Sequence, residues 1–480
     1  MTSKKVFLAV LALFAATGMA FSGGARSSQG GANASSQGKP TLVIGIPSDP
    51  FVTSFEDNYL TRYLENLHNI NLDFYMLPID NAESRTKISL MVISNDLPDM
   101  VYTQSLSTEM ILDFGSKGAF LNLNSYISDP SKAVYFSRIP KGDMDIIMNT
   151  ITMADGNVYG MPNFQPETWN LTPNRLYFNR AWAQKLNIKL PETTEELRQA
   201  LIAFRDRDPN GNGQKDEIGV WGWSSGGYGE NSTVALINSF IYYTPDRLSL
   251  DASGNRVIAP WTDPAFRKAL QYLNTLFKDG VLSASIFTND QQTYRATLNA
   301  TPHVVGLTTA GSVSNWAGAG QQDNNANYRE LAPLLPPLTG PDGVCWTPYN
   351  EHEPAMHAFI TSKSQNPDLA FKVIDSGYEA TLSKIVRFVE EGVDWSQKPE
   401  DLAKTTNDMV NAGLFPSLTL VQIQDIWTRP QNKHWKNVGP RYTPVELGNT
   451  VGNLETPYDP QYLSSSHGAV NYRYYIPRHP

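Results

Sequence analysis

A single cysteine, Cys345, is present among 480 residues, so no disulfide can form within the chain. A lipid-anchored export product needs a cysteine just past its apolar leader, and none stands there. Positive charge is also scarce: 38 Lys and Arg face 47 Asp and Glu, for a net charge of −9 and no basic patch. That balance disfavours nucleic acid and anionic membrane as partners. Long apolar runs are missing as well. The one candidate, Val6 to Ala16, is too short to span a bilayer.

That short run has a basic start at Lys4 and Lys5 and small residues at Gly18 and Ala20. Residues 1–20 therefore read as a secretory signal peptide, cleaved after Ala20 or Ala25. Residues 21–40 form a flexible linker, because Ser22 to Gly38 is rich in Gly, Ser and Gln without apolar periodicity. About 440 residues remain, enough for two or three average domains. Aromatics are plentiful, with 10 Trp and 22 Tyr. Flat amphipathic rings in that number are consistent with stacking on sugars.

The first folded stretch alternates. Thr41 to Ile46 reads as a strand, and Tyr59, Tyr63, Leu64 and Leu67 share a helical face. Leu72 to Ile79 is a second strand, SRTKISLMVIS a second helix and Asp99 to Thr103 a third strand. This order implies a parallel sheet covered on both faces. Ligands of such sheets sit beyond the strands' carboxyl ends, which nominates Pro47 to Asp49 and Tyr102 to Gln104 as binding walls. Further on, Thr193 to Glu196 is a capping box opening a helix with core positions Leu197, Leu201 and Phe204. Asp263-Pro264 opens another, expected to bury Phe266, Leu270, Leu273 and Phe277, and Asn366-Pro367 a third. HVVGLTTAG is an apolar strand leading to a loop that carries Trp316.

The densest chemistry lies in residues 206–217, DRDPNGNGQKDE. Calcium takes six to eight oxygen ligands, which a short loop supplies from alternate positions with a Gly at the turn. Two registers fit. One uses Asp206, Asp208, Asn210, the Asn212 carbonyl, Gln214 and Glu217 around Gly211. The favoured one uses Asp208, Asn210, Asn212, the Gln214 carbonyl, Asp216 and Glu217 around Gly213. A helix precedes the loop but IGVWGW after it reads as a strand, so a structural calcium site is expected rather than a sensor.

Together these stretches resemble the extracellular solute-binding proteins of bacterial ABC importers, particularly the sugar-binding group (family 1) that includes alginate-binding periplasmic proteins. LMVISNDLPDM with its following strand, GAFLNLNSYI, DGNVYGMP, LYFNRAWAQKLNIKLPETTEELRQAL, DPAFRKALQYLNTLFKDGVL, NPDLAFKVIDSGY and EEGVDW stand in the family's order. The D-x-N-x-N-G-x-x-D-E run is the most specific match, and the absent lipid-anchoring cysteine is the departure.

The resemblance implies an α/β, two-lobe periplasmic-binding-protein fold of type II-like form, each lobe a mainly parallel sheet flanked by helices, with the ligand cleft between. It divides the chain into an N-terminal lobe of 41–160 and 303–360 and a C-terminal lobe of 161–302 and 361–480. It also implies a monomer that captures an oligosaccharide, docks on the membrane subunits of an ABC permease and resides in the periplasm. Trp316 is the first choice for stacking on the cargo. Trp221, Trp223 and Tyr228 follow in a Gly-rich stretch, and Trp346 with Tyr349 in another loop. The net charge does not exclude uronates, and a peptide or other small solute stays open.

Enzyme readings compete with this one. Gly222-Trp223-Ser224-Ser225-Gly226 matches a nucleophile elbow, which needs a helix directly after the Ser; Gly227, Gly229 and Glu230-Asn231 intervene. Glu351-His352-Glu353 with His357 lacks metalloprotease spacing and holds Pro354. Glu390-Glu391 or Glu351 with Glu353 would suit a secreted glycosidase or a calcium-dependent polysaccharide lyase. A purely structural calcium-stabilised exported protein is the third class.

Overall fold

The computed structural model describes residues 38–166, 171–224, 228–244, 247–251, 253–316, 330–331, 334–348, 354–424, 426–427, 429–436, 438–455 and 471–478. The expected alternation at the start is realised. β1 (Thr41–Pro47) lies between β2 (Asn71–Leu77) and β3 (Met100–Tyr102), parallel to both. Helices Tyr59–His68 and Asn81–Ser94 join them. Asn58 and Asp80 start these helices by accepting first-turn backbone N–H groups, and Asn69 and Asn95 end them in the left-handed conformation that Asn tolerates.

Chain order continues with β4 (Met161–Phe164), β5 (Arg175–Phe178), β6 (Ile218–Val220), the hairpin of β7 (Ser249–Leu250) and β8 (Val257–Ile258), and β9 (Val305–Ala310). Then come β10 (Leu334–Leu335), β11 (Ala355–Ile360), β12 (Trp395–Ser396), β13 (Leu420–Gln422), β14 (Arg441–Tyr442) and β15 (Val451–Asn453). The first lobe is built on a six-stranded sheet of order β14-β4-β11-β3-β1-β2, and the second on a four-stranded sheet of order β10-β5-β9-β6. β12, β13 and β15 form a small third sheet. In the first sheet only β11 runs against its neighbours, so that sheet is mainly parallel. The second is not: β5 is antiparallel to both β9 and β10, and only β6 and β9 are parallel.

Sheet membership corrects the expected lobe boundaries. Residues 303–310 do not return to the first lobe, because every residue of β9 is buried and pairs with β5 and β6. Nor does the chain leave the first lobe at residue 360. Phe371, Ile374, Tyr378 and Leu382 of the next two helices share one apolar core with Ile44, Met100 and Met161, and β14 completes the first sheet. The second core gathers Leu197, Leu201 and Phe204 with Leu236, Leu273 and Leu307. A C-terminal stretch fastens to the second lobe, where the buried Tyr475 hydroxyl accepts the Leu176 N–H at 2.9 Å and donates to the Leu335 carbonyl at 2.5 Å.

The capping box at Thr193 and Glu196 is present, and Pro264 and Pro367 open their helices. Helix Pro264–Lys278 departs from its expected face: Leu273 is buried, but Leu270 and Phe277 are exposed, while Ala269 and Leu276 turn inward.

Candidate ligand wall and calcium loop

β6 and β9 are the parallel pair of the second sheet, so the chain leaving their carboxyl ends forms the natural ligand wall there. From β6 come Trp221, Trp223 and Tyr228; from β9 come Gly311, Asn315 and Trp316. Hydrogen bonds tie the two loops together. Glu230 is the hub: it is buried, one carboxylate oxygen accepts the Tyr228 N–H at 2.7 Å and the other accepts the Asn315 amide. Its carbonyl accepts the Trp223 N–H, and the Gly311 N–H reaches the Tyr228 carbonyl at 2.7 Å. Asn174, just before the antiparallel β5, closes the third side by donating to the Gly229 carbonyl at 3.2 Å.

Gly229 has φ +88°, and a Cβ there would overlap the Pro173 carbonyl oxygen. A side chain would force the loop off β5, which explains a glycine at that point. Likewise, the Tyr228 ring packs directly over Gly311, where a Cβ would collide with the ring.

This arrangement sorts the candidate aromatics. Trp223 and Tyr228 are half-buried on the wall. Trp221 is core: it is 4% exposed, and its indole N–H donates to the Tyr294 carbonyl at 3.2 Å. Trp316, 3% exposed, packs edge-on against Tyr177 at 4.7 Å, so its ring is committed to packing rather than presented as a stacking face. Trp346 is half-buried, but its backbone N–H bonds the Asn238 carbonyl, at the opposite end of helix Ser232–Ile237 from the wall. Tyr349 lies outside the described residues. The sequence reading missed Asn174, Glu230 and Asn315, of which only Glu230 stands next to a glycine, Gly229.

In the first lobe the expected walls after β1 and β3 are partly covered by a later segment. Gln431 bonds both ways with the 51–53 backbone, donating to the Phe51 carbonyl at 2.7 Å and accepting from Thr53 at 3.0 Å. It delivers a cluster no motif announced. The Lys436 ammonium lies 4.6 Å from the Phe51 ring centre and 5.5 Å from that of Trp427, a cation between two aromatic faces. Trp427 also contacts His434, whose burial holds its pKa down at about 3.

The acid-rich loop has the expected shape. Helix Thr194–Arg207 ends at Asp208, which is left-handed at φ 46°. The Asp208 carboxylate then accepts the N–H groups of Gly211, Asn212 and Gly213 at 2.9 to 3.1 Å. Asn210 and Asn212 accept from Asn212 and Gln214 in turn, and both amides donate to Asp216. Asp206 takes no part: both its oxygens pair with the Arg205 guanidinium at 2.8 Å. Asp208 thus organises the turn, and Asp206 stands outside it.

Glu217 is the telling residue. It is 7% exposed, and neither carboxylate oxygen has a partner. Burial first, then the charges of Asp216 and Asp208, raise its pKa above the usual carboxylate range. A buried acid in that state calls for a cation. Among the described residues no three acids, His or Cys converge into a metal cage by themselves. The set instead mixes carboxylates with amide and backbone oxygens, the donor chemistry that suits calcium.

For the enzyme readings, the first described helix after Ser224 begins at Ser232, so Ser224 does not head a helix as an elbow nucleophile does. His357 is buried in β11 beside Asn163 at 3.5 Å. Residues 351–353 lie outside the described set.

Two mixed sheets with helices over them and loops converging at their carboxyl ends define a two-lobe α/β binding protein. Comparison with known proteins makes this specific. Residues 54–380 match the family model "Bacterial extracellular solute-binding protein", and the chain belongs to that family.

A similar curated relative is the fructooligosaccharide ABC transporter substrate-binding protein FusA of Streptococcus pneumoniae, 24% identical over 387 residues, covering 78% of this chain and 67% of FusA. The polygalacturonan/rhamnogalacturonan-binding protein YtcQ of Bacillus subtilis is 22% identical over 222 residues, covering 46% of this chain and 41% of YtcQ. Among solved structures, FusA in complex with kestose superposes with a TM-score of 0.71 at 21% identity, covering 92% of this chain and 84% of that one. The alginate-binding protein AlgQ2, solved without calcium ion, gives a TM-score of 0.59 at 22% identity over 75% of this chain and 71% of that one.

Proposed function

We propose that this chain is the exported substrate-binding component of an ABC importer, capturing an oligosaccharide between its lobes and delivering it to membrane permease subunits. The observation that carries the reading is the second-lobe wall. There two half-buried aromatic rings, Trp223 and Tyr228, stand beside Glu230, Asn315 and Asn174, which are held by hydrogen bonds within the wall. Rings supply stacking area, and fixed amide and carboxylate groups read hydroxyls, so such a wall suits a sugar. The names of the relatives point the same way, since FusA is named for fructooligosaccharide and YtcQ for polygalacturonan.

Calcium completes the proposal. Asp208, Asn210, Asn212, Asp216, Glu217 and the Gln214 carbonyl would hold it, neutralising the buried Glu217 just before β6. The ion would serve structure, stiffening the strand that leads to Trp223. The protein acts as a monomer in the periplasm after removal of residues 1–20, with closure of the lobes reporting occupancy because a bound sugar contacts both. Thermal melting of the calcium-loaded mature protein against fructooligosaccharides, uronate oligomers and peptides tests this. A shift with one sugar class and intact sugar recovered afterwards supports the proposal; a shift with shortened sugar would replace it with an enzyme.

A further inference from the structure

A cavity of about 510 Å³ lies between the first lobe and the small third sheet, apart from the second-lobe wall. Helix Ala380–Phe388 and edge strand β14 form two of its sides, with Gln397 and Thr419 reaching in from beside the small third sheet. Its size falls in the range of small-molecule sites. We propose that this cavity is a second site that takes a single neutral sugar ring between Tyr135 and Tyr442, under a rim formed by Arg138, Glu379, Lys384 and Glu446.

Two of the rings are set in advance, and the third, Tyr135, carries the Arg138 guanidinium 5.2 Å from its centre. The Tyr442 hydroxyl donates to Asp143, and its ring lies near-parallel to Phe164, with centroids 6.4 Å apart. Tyr378, at the base, donates its hydroxyl to the Pro162 carbonyl at 2.6 Å and packs edge-on against Phe136. Rings held this way lose little freedom when a ligand arrives, which is how a small site gains affinity. Polar groups are placed likewise. Lys384 is fixed by Gln397 at 2.8 Å and lies over the Trp395 ring at 5.2 Å. Glu379 uses one carboxylate oxygen to cap its helix at the Leu382 N–H, and the other can accept a hydroxyl.

Two cations and two anions line the rim, so no net charge selects for an ion. Aromatic floor and balanced rim together favour a neutral polyhydroxyl ring. Since neither the second-lobe sheet nor its wall lines the cavity, occupancy would not need lobe closure, unlike the cleft of the proposed transport function. The two sites therefore stand or fall separately.

The test uses the full mature chain labelled with 3-fluorotyrosine, the Tyr135 and Tyr442 resonances being assigned with Tyr135→Phe and Tyr442→Phe. Glucose, galactose, fructose and mannose are titrated, with leucine and glutamate as amino-acid probes. A saturable shift of both resonances by at least one sugar is expected. It should weaken at least tenfold in Leu447→Trp, which fills the cavity, and severalfold in the surface variant Glu446→Ala, and persist in Trp223→Ala. The site is refuted if no sugar saturates, if only an amino acid does, or if the response survives both cavity variants in protein that melts normally.

Discussion

Replacing Glu217 with Gln should have opposite consequences with and without calcium. In the metal-free protein the Glu217 carboxylate is buried without a hydrogen-bond donor and faces the charges of Asp208 and Asp216. Its folded pKa is raised, so the native state holds a proton that the unfolded chain releases near pH 4.3. Metal-free stability from this group is present below that pH and is lost as pH rises through the folded pKa. At neutral pH, Glu217→Gln removes a group whose charged form is disfavoured by burial and by Asp216 and Asp208, and should leave the metal-free protein as stable as the parent or more so.

With calcium the order reverses. An ion at one hundred times its dissociation constant stabilises the folded state by about 2.7 kcal/mol. For a lobe of this size that is about 5–10 °C in melting temperature. Glu217→Gln should lose most of that increment. Differential scanning calorimetry of both proteins, in chelator and in excess calcium, reads the crossover directly. An equal calcium shift in both proteins, or a metal-free variant several degrees less stable than the parent, would refute the reasoning.

Among the tryptophans, Trp223→Ala should weaken cargo binding about tenfold, about 1.4 kcal/mol, with little change in melting. Trp221→Ala and Trp316→Ala should instead cost about 3–5 kcal/mol of stability, because both side chains are buried; chemical denaturation alongside calorimetric binding separates the two effects. Gly229→Ala should destabilise the wall and weaken binding together, since its φ is +88° and its Cβ would strike Pro173; unchanged affinity would show that the loop is not held as described. For pH, burial lowers His68 to about 4 and His434 to about 3. Their neutral folded forms contribute stability above pH 6.5 that is lost progressively as pH falls toward those values. His68→Gln should flatten the melting profile between pH 6.5 and 4, and an unaltered slope would contradict this.

Local signals in the sequence translated well into elements. The capping box at Thr193, the Asx-Pro starts at Asp263 and Asn366, and the β-α-β alternation up to Tyr102 act within a few residues, where capping and periodicity decide the outcome. Sheet membership was harder. Val305–Ala310 is buried on both faces, and a strand without polar alternation carries no mark of which sheet will take it. Leu270 and Phe277 show the same limit, since the helix face is set by the neighbours it meets and not by its own spacing alone.

At the site, the turn built on Asp208 was legible because its polar residues are consecutive in the chain. The wall was not, because Asn174, Glu230 and Asn315 meet only through folding, across 55 and 85 residues. Trp316 shows a related limit: nothing in its place after a glycine-rich turn announces that Tyr177 packs edge-on against it.

The central claim, capture of an oligosaccharide without turnover, is tested most directly by isothermal titration of the calcium-loaded protein with a fructooligosaccharide and uronate-oligomer panel, followed by mass analysis of the recovered sugar. The account predicts saturable one-to-one binding in the cleft by one sugar class, recovered at its original length and weakened about tenfold by Trp223→Ala. Recovery of shortened sugar, or binding that is indifferent to Trp223→Ala and Glu230→Gln alike, would contradict it.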